Sequence, residues 1–420
     1  LGMGQLHKPE YGHYLMNQLD LCGTSGLAPF YLSMSRGIDL LLAHPNADPR
    51  RVAVAGLSGG GWQTITISAL DTRVTLSDPV AGYSSFLTRN HNFSDLGDSE
   101  QTPCDMATVA DYSHLTAMMA PRATLLTFNA TDNCCFAAGH ALPPLLAAAR
   151  PIFKLYGKRK NLWAHVNFSP GNHNFGRDNR EALYRMFGAH FFADRTDYDA
   201  REIDVTDELK TKEQLFVTIP DNNATFVSLA RDISTRLPRG PRVPSADDGP
   251  EARKQWQVEA RQRLAQVIRS QPMTLGASLV DEKVDGDGAG QTRALLWKLK
   301  LGGEWTVPAV ELVRGKPKTT AILLADKGRT SAASVAEELL AQGHRVIAID
   351  PFYLGESSIG RHDFLFALTV ATVGERALGL QSRQLQAVAR WIHKQHEHPT
   401  RLIAVGPRTS LAGLVAGGLE

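Results

Sequence analysis

Polar and apolar residues follow two patterns along the first 195 residues, and together they predict strands alternating with helices. Short apolar runs predict strands over residues 51–55, 73–78, 123–128 and 162–168. Apolar residues at helical spacing predict helices over about 28–44, 61–70, 138–150 and 178–191. This alternation is typical of a parallel sheet covered by helices on both faces, with functional groups in the loops at the carboxyl ends of the strands.

A second alternation occupies the C-terminal part of the chain. It predicts strands over residues 292–300, 304–313, 320–326, 345–350 and 401–406, and helices over 251–269, 331–342 and 378–396. The segment before it is polar and mixed, with a strand-like run at 214–219 and a helix-like run at 225–230. Three prolines and a glycine within residues 237–244 indicate a linker. We therefore predict a first domain over 1–194, a linker region over 195–250 and a second domain over 251–420.

The first predicted strand leads directly into Gly56-Leu57-Ser58-Gly59-Gly60. A strand that breaks into G-x-S-x-G before a helix indicates the nucleophile elbow of serine hydrolases, although a glycine-rich turn is often only a turn. A serine hydroxyl needs an exposed position, a nearby base and N–H groups that stabilise the developing oxyanion. We expect the backbone N–H of Gly59, the residue after the nucleophile, to supply half of that oxyanion hole.

An acid and a base follow Ser58 in the order Ser, Asp, His that such hydrolases use. Asp132 follows the third strand, and His173 lies in the Pro-Gly-Asn loop after the fourth strand. Ser58 would attack an ester carbonyl, His173 would take its proton, and Asp132 would fix the imidazole tautomer.

Each partner has rivals in the sequence. Asp78, at the end of the second strand, is the alternative acid. His165 lies inside a predicted strand and His190 in an aromatic helix end, so both are interpreted as packed histidines.

Several segments give the chain a family resemblance. Five segments resemble acetylxylan-esterase-like α/β hydrolases, which are related to prolyl-oligopeptidase-type enzymes. They are residues 48–64 around the elbow, the preceding helix 35–41, and residues 120–122, 132–136 and 170–174. The resemblance implies an α/β-hydrolase fold and carboxylester hydrolysis without a cofactor, with deacetylation of carbohydrate as the expected reaction. It also implies an exported enzyme, although no signal-peptide pattern precedes the first helix. The triad carries over onto Ser58, Asp132 and His173, whereas no motif identifies the substrate.

The chain also departs from that pattern. An intact hydrolase has further strands before the elbow, so we expect the N-terminal strands of the first domain to be missing. The second domain resembles the opening half of another hydrolase that is truncated after its elbow position, where Arg408 stands in place of a serine. We interpret it as a degenerate copy. One hypothesis is that residues 318–353 replace the missing strands beside 51–55; truncation at both ends is the alternative.

Composition narrows the functional classes. A net charge of +2 over 420 residues does not indicate nucleic acid or an anionic surface, and no apolar run approaches the roughly 18 residues of a membrane span. The four cysteines contain no C-x-x-C pattern, and Cys134 and Cys135 are interpreted as packed beyond the acid loop. Two clusters have a faint metal-site pattern. The first, with His393, His396, Glu397 and His398, is interpreted as an ordinary helix end, and the second, with Asp285 and Asp287, as a turn.

The prediction is therefore a serine esterase that needs no metal or cofactor, acts on a small-molecule or carbohydrate ester, and binds neither nucleic acid nor membrane. Two alternatives remain open: a prolyl-oligopeptidase-like peptidase, and a catalytically inactive hydrolase-fold protein with a binding or scaffold role.

Overall fold

The computed structural model describes residues 12–96, 99–360, 363–396 and 399–420. The chain divides into two compact units, Leu1–Leu237 and Pro238–Glu420. The boundary lies within the segment 195–250, beside the proline-rich run that indicates a linker.

The first unit contains one four-stranded parallel sheet in which the strands lie in chain order. The strands are β1 (Ala53–Leu57), β2 (Leu76–Val80), β3 (Ala123–Asn129) and β4 (Leu162–Asn167). The helices are α1 (Asn17–Asp20), α2 (Ala28–Leu42), α3 (Gly59–Leu70), α4 (Phe86–His91), α5 (Tyr112–Met118), α6 (Ala138–Leu155), α7 (Arg177–Phe191) and α8 (Phe226–Thr235).

Alternating side chains of this sheet form two apolar layers, because successive residues of a strand point to opposite faces. On one face Leu126 and Phe128 of β3 belong to a core with Trp62 of α3. On the other face Leu125 belongs to a core with Leu183 of α7. Helices thus cover both faces, and the predicted α/β architecture is confirmed. All four carboxyl ends lie along one edge, since the strands are parallel.

The second unit contains a six-stranded mixed sheet, made of β5 (Leu275–Asp285), β6 (Thr292–Leu301), β7 (Trp305–Arg314), β8 (Thr319–Ala325), β9 (His344–Ile349) and β10 (Thr400–Val405). The strands lie in the order β10-β8-β9-β7-β6-β5. Its helices are α9 (Gly249–Val267), α10 (Ala333–Ala341), α11 (Asp363–Thr372), α12 (Ala377–His396) and α13 (Pro407–Leu419). Strands β9, β8 and β10 run parallel, whereas β5, β6, β7 and β9 pair antiparallel.

The pairing of β8 overturns one sequence hypothesis. This strand is hydrogen-bonded to β10 on one side and to β9 on the other. A strand with both edges paired has no backbone groups left for another sheet. The hypothesis that residues 318–353 complete the first sheet is therefore wrong; they form the centre of the second sheet instead.

Two further segments differ from the sequence expectation. The strand-like run 214–219 forms no strand, and its apolar side chains Leu215, Phe216 and Val217 are exposed. Strand β5 was not predicted because most of its side chains are exposed and carry no buried apolar stripe. No helix among the described residues is long and apolar enough to cross a bilayer.

Candidate active site

Ser58 occupies a sharp turn between β1 and α3. Its backbone has φ +60° and ψ −123°, a conformation that non-glycine residues rarely adopt and that persists only where the surroundings enforce it. Two backbone hydrogen bonds hold the turn: Ser58 N donates to Val80 O at 2.9 Å, and Trp62 N donates to Ser58 O at 2.9 Å. The side chain is half-buried. The strain lies at the residue that the sequence predicts to be the nucleophile.

Glycines allow the close backbone packing of this turn. A Cβ on Gly56 would lie 2.7 Å from the carbonyl carbon of Gly60. A Cβ on Gly61 would lie 2.6 Å from Val80 O, and one on Gly82 would lie 2.4 Å from the backbone N of Trp62. Real Cβ atoms do not approach backbone atoms this closely. Side chains at these positions would therefore keep the elbow from closing and the start of α3 from packing on the end of β2.

The N-terminus of α3 presents backbone N–H groups beside Ser58. Gly59 is the first residue of this helix, and the first N–H groups of a helix have no partner within it. The helix dipole adds partial positive charge at this end. The predicted role of Gly59 as an oxyanion donor fits this placement.

Asp132 lies in the loop that follows β3, and four donors surround its buried carboxylate. The backbone N–H groups of Cys134 and Cys135 donate to Oδ1 at 3.0 and 3.2 Å, and Asn129 Nδ2 donates to Oδ2 at 3.0 Å. The fourth donor is His173, whose Nδ1 lies 2.9 Å from each carboxylate oxygen. The carboxylate is therefore fixed in place and paired although its side chain is fully buried.

His173 lies in the loop after β4, and its side chain is 19% exposed. Its backbone N donates to Asn133 Oδ1 at 3.0 Å, and Thr131 N donates to Gly171 O at 3.0 Å. These bonds join the histidine loop to the acid loop. With Nδ1 committed to Asp132, the other ring nitrogen, Nε2, is the one that can accept a proton.

The structure thus brings two of the three predicted triad residues into direct contact. Among the described residues there is no hydrogen bond between the Ser58 hydroxyl and His173. All three residues nevertheless follow the carboxyl ends of parallel strands in one sheet, Ser58 after β1, Asp132 after β3 and His173 after β4. Unliganded sites often hold such pairs apart until substrate binds.

Sequence reasoning missed a group of asparagines beneath the two loops. Asn129 and Asn167, the last residues of β3 and β4, are fully buried, as is Asn179 of α7. Asn179 Nδ2 donates to Asn129 Oδ1 at 3.0 Å, and Asn167 Oδ1 accepts from Gly171 N at 2.9 Å. These amides tie both loops to the strand ends. An asparagine at the end of a strand is a weak signal in a single sequence, because Asn is also common in ordinary turns.

Other carboxylate–histidine pairs occur among the described residues of the first unit, and their geometry differs; the longest is His13 Nε2 to Glu100, at 3.6 Å. His165 Nε2 lies 2.8 Å from Asp178, and His140 Nε2 lies 2.9 Å from Asp95. In a serine hydrolase the acid binds Nδ1 so that Nε2 can face the nucleophile. His165 is therefore the satisfied histidine that the sequence indicated, and the Asp95–His140 pair, which sequence reasoning did not identify, has the same reversed arrangement.

The remaining rivals of the triad are enclosed by other groups. His190 lies against Trp163, with ring centroids 6.1 Å apart, and burial lowers its pKa. Asp78 is fully buried within β2, and Thr127 Oγ1 donates to its Oδ1 at 2.7 Å. Burial raises the pKa of Asp78 to about 7. Neither residue contacts the Asp132–His173 pair in the described hydrogen bonds.

The second unit has a different arrangement at the corresponding turn. Helix α13 begins at Pro407 after Gly406, and the backbone N–H groups of Arg408 and Thr409 donate to the Asp326 carboxylate at 3.1 and 2.7 Å. A carboxylate therefore occupies the helix N-terminus where an elbow would stabilise an oxyanion. The position that corresponds to the nucleophile is thus an arginine, and the N–H groups of Arg408 and Thr409 are already bound to Asp326.

The structure describes only part of the two possible metal clusters named in the sequence. His396 accepts a hydrogen bond from Arg345 at 2.9 Å, and Glu397 and His398 lie outside the described residues. Asp285 ends β5, and Asp287 lies in the turn to β6, where Gly286 has φ +76°.

Comparisons with known proteins come from structure alone, since no family model and no curated protein matches the chain. The chain is similar to a Bacteroides fragilis protein described as an acetyl xylan esterase, at 15% identity and a TM-score of 0.38 over 48% of this chain and 60% of that protein. It is also similar to glucuronoyl esterases from Solibacter usitatus and Caldicellulosiruptor kristjansonii. The Solibacter usitatus protein is 20% identical, with a TM-score of 0.32 over 40% of this chain and 49% of that protein. The Caldicellulosiruptor kristjansonii protein is 18% identical, with a TM-score of 0.32 over 43% of this chain and 55% of that protein.

All of these similar structures are esterases, the kind of protein that the sequence resembles. The chain spans less than two thirds of the length of each. The likeness is too low to carry an assignment of activity, which is argued below from the residues of this chain.

Proposed function

We propose that the first unit is a serine carboxylester hydrolase in which Ser58, His173 and Asp132 act as nucleophile, base and orienting acid. The observation that carries this proposal is the contact of His173 Nδ1 with the buried Asp132 carboxylate at 2.9 Å. It is supported by the strained backbone of Ser58 at the end of a neighbouring strand of the same sheet.

The proposed reaction has two halves. His173 Nε2 takes the hydroxyl proton while Ser58 Oγ attacks the ester carbonyl, and the same proton then passes to the leaving alcohol. Water repeats the sequence on the acyl-serine and releases the acid. Asp132 holds the ring in the tautomer with the proton on Nδ1 and stabilises the imidazolium that forms. The N–H of Gly59 donates to the oxyanion.

The substrate proposal is an acetyl ester of a carbohydrate, and it rests on the family resemblance of the elbow and loop segments. The first experiment is labelling of the full chain with a fluorophosphonate, followed by identification of the labelled residue. We expect Ser58 to be labelled and the Ser58→Ala variant to be unlabelled. Equal labelling of both proteins would reject Ser58 as the nucleophile, and labelling of neither would reject the esterase and favour the binding or scaffold alternative.

A panel of substrates separates the remaining possibilities. Hydrolysis of acetylated sugars but not of peptide amides would support the esterase. A preference for peptide amides would instead support the prolyl-oligopeptidase-like alternative, because both enzyme types share the triad and differ in the leaving group.

A further inference from the structure

Two cysteines stand next to the histidine of the proposed triad. Ligand atoms of Cys134, Cys135 and His173 all lie within 4.8 Å of one another, and the two sulfur atoms are 3.2 Å apart. Cys134 is exposed and Cys135 half-buried, and neither has a role in the proposed reaction. We propose that these three side chains bind a thiophilic divalent cation such as Zn²⁺, and that the bound ion inactivates His173 as a base. The second half of this proposal rests on the proposed function.

The separation of the three ligand atoms suits a tetrahedral site. With Zn–S and Zn–N bonds of about 2.3 and 2.1 Å, ligand atoms around zinc lie about 3.5–3.8 Å apart. The observed atoms are already within 4.8 Å, so small side-chain rotations bring them to that spacing. Two thiolates and an imidazole are soft ligands, which select zinc-like ions over Mg²⁺ or Ca²⁺.

The backbone holds both thiols beside the histidine. The N–H groups of Cys134 and Cys135 donate to Asp132 Oδ1, and Asp132 also binds His173. A carboxylate that orients a ligating histidine is a usual outer partner of protein zinc sites. The exposed Cys134 side chain gives an ion access from solvent.

Binding would stop proton transfer whichever ring nitrogen is used. An ion on Nε2 occupies the lone pair that accepts the serine proton. An ion on Nδ1 breaks the hydrogen bond to Asp132 and leaves the ring proton on Nε2, which then has no lone pair for the serine proton. In either case each thiol loses its proton to solvent, the ion gains two thiolates, and no redox change occurs.

The direct test is a Co²⁺ titration of the reduced full chain, because cobalt bound to thiolates gives charge-transfer absorption that does not depend on activity. We expect this absorption in the wild type and in Cys104→Ser, a matched control outside the cluster. We expect its loss in Cys134→Ser and Cys135→Ser, with an affinity for Zn²⁺ at least about tenfold lower. No absorption in the wild type, or equal Zn²⁺ affinity in all four proteins, would overturn the site.

Ester hydrolysis tests the inhibitory effect separately. Because Cys134 and Cys135 also hold Asp132 through their backbone N–H groups, each variant's inhibition is measured relative to its own rate without zinc. Added Zn²⁺ should inhibit the wild type and Cys104→Ser, and the two cluster variants should resist it. Hydrolysis that continues in a zinc-saturated wild type overturns the inhibition but not the site. Cobalt binding with an unlabelled Ser58 would reject the esterase and leave the site standing.

Discussion

His173 directs Nδ1 at both carboxylate oxygens of the buried Asp132, at 2.9 Å from each. The histidine–carboxylate pairs His140–Asp95 and His165–Asp178 of the first unit use Nε2 instead. Which nitrogen meets the carboxylate decides whether the ring can accept a proton from a serine on its far side. This difference distinguishes the His173–Asp132 pair and leads to the first prediction.

Asp132→Asn should lower kcat/KM for ester hydrolysis by about 10³–10⁴-fold, because an amide no longer selects the proton on Nδ1 or stabilises the imidazolium. The matched control is Asp178→Asn, which changes the His165 pair in the same way. Asp178 also accepts a hydrogen bond from Asn167 Nδ2 at 2.8 Å, which the amide carbonyl oxygen of that variant can still accept, so kcat/KM should stay within about twofold. Steady-state kinetics of both variants on one acetyl ester would decide; equal losses would contradict the assignment of Asp132.

Gly82→Ala should destabilise the first unit and disturb the elbow. The new Cβ would lie 2.4 Å from the backbone of Gly61 and Trp62 at the start of α3. Forcing extra atoms into a packed site costs about 1–3 kcal/mol. The control is Gly60→Ala at the start of α3, where a Cβ meets nothing within 4 Å. Chemical denaturation should show a lower free energy of unfolding for Gly82→Ala only, and comparable values for the two variants would argue against the close packing.

The buried carboxyl of Asp78 should make the stability of the first unit depend on pH. Burial raises its pKa to about 7 in the folded chain, whereas an unfolded Asp titrates near about 3.9. The folded state therefore binds more protons between these pH values. Its free energy of unfolding should fall as pH rises from about 4 through about 7 and level off above that.

Asp78→Asn tests this expectation, because an amide stays neutral at every pH. The stability of the variant should be flatter over the same range, and its advantage over the wild type should grow on the order of a few kcal/mol between pH 4 and 8. Denaturation curves across that range provide the measurement. Asp71→Asn is a useful contrast, because the hydrogen bond from Arg73 lowers the pKa of Asp71. The contribution of the Asp71 carboxylate to the free energy of unfolding is therefore lost only at acid pH. Parallel profiles for wild type and Asp78→Asn would contradict the raised pKa.

Helix α8 should stabilise the first unit although it lies in the segment predicted as a linker region. Phe226 is 3% exposed and stacks on Phe30, with ring centroids 6.0 Å apart. Phe226→Ala should lower the free energy of unfolding by about 3–5 kcal/mol through lost burial and a cavity. The neighbouring Val227, which is 37% exposed, provides the control. A similar small effect from Phe226→Ala and Val227→Ala would show that α8 does not belong to the core.

The sequence by itself determined every strand of the two sheets except β5, and the residues proposed for the site. Periodicity alone placed β1 to β4 within a few residues, because buried parallel strands and amphipathic helices leave distinct apolar patterns. The strand-to-helix order then put Ser58, Asp132 and His173 at one edge of one sheet. Strand β5, whose exposed side chains have no such pattern, was missed for the same reason.

Only the tertiary structure decided which polar groups meet. Strand pairing over long sequence separations put β8 between β9 and β10, and no local pattern encodes that choice. Contacts between residues up to 50 positions apart place the asparagines beneath the loops. Such contacts also orient the His173 ring and place the two thiols beside it. Hydrophobic periodicity records which side of an element is buried, whereas hydrogen-bond geometry depends on what is packed against it.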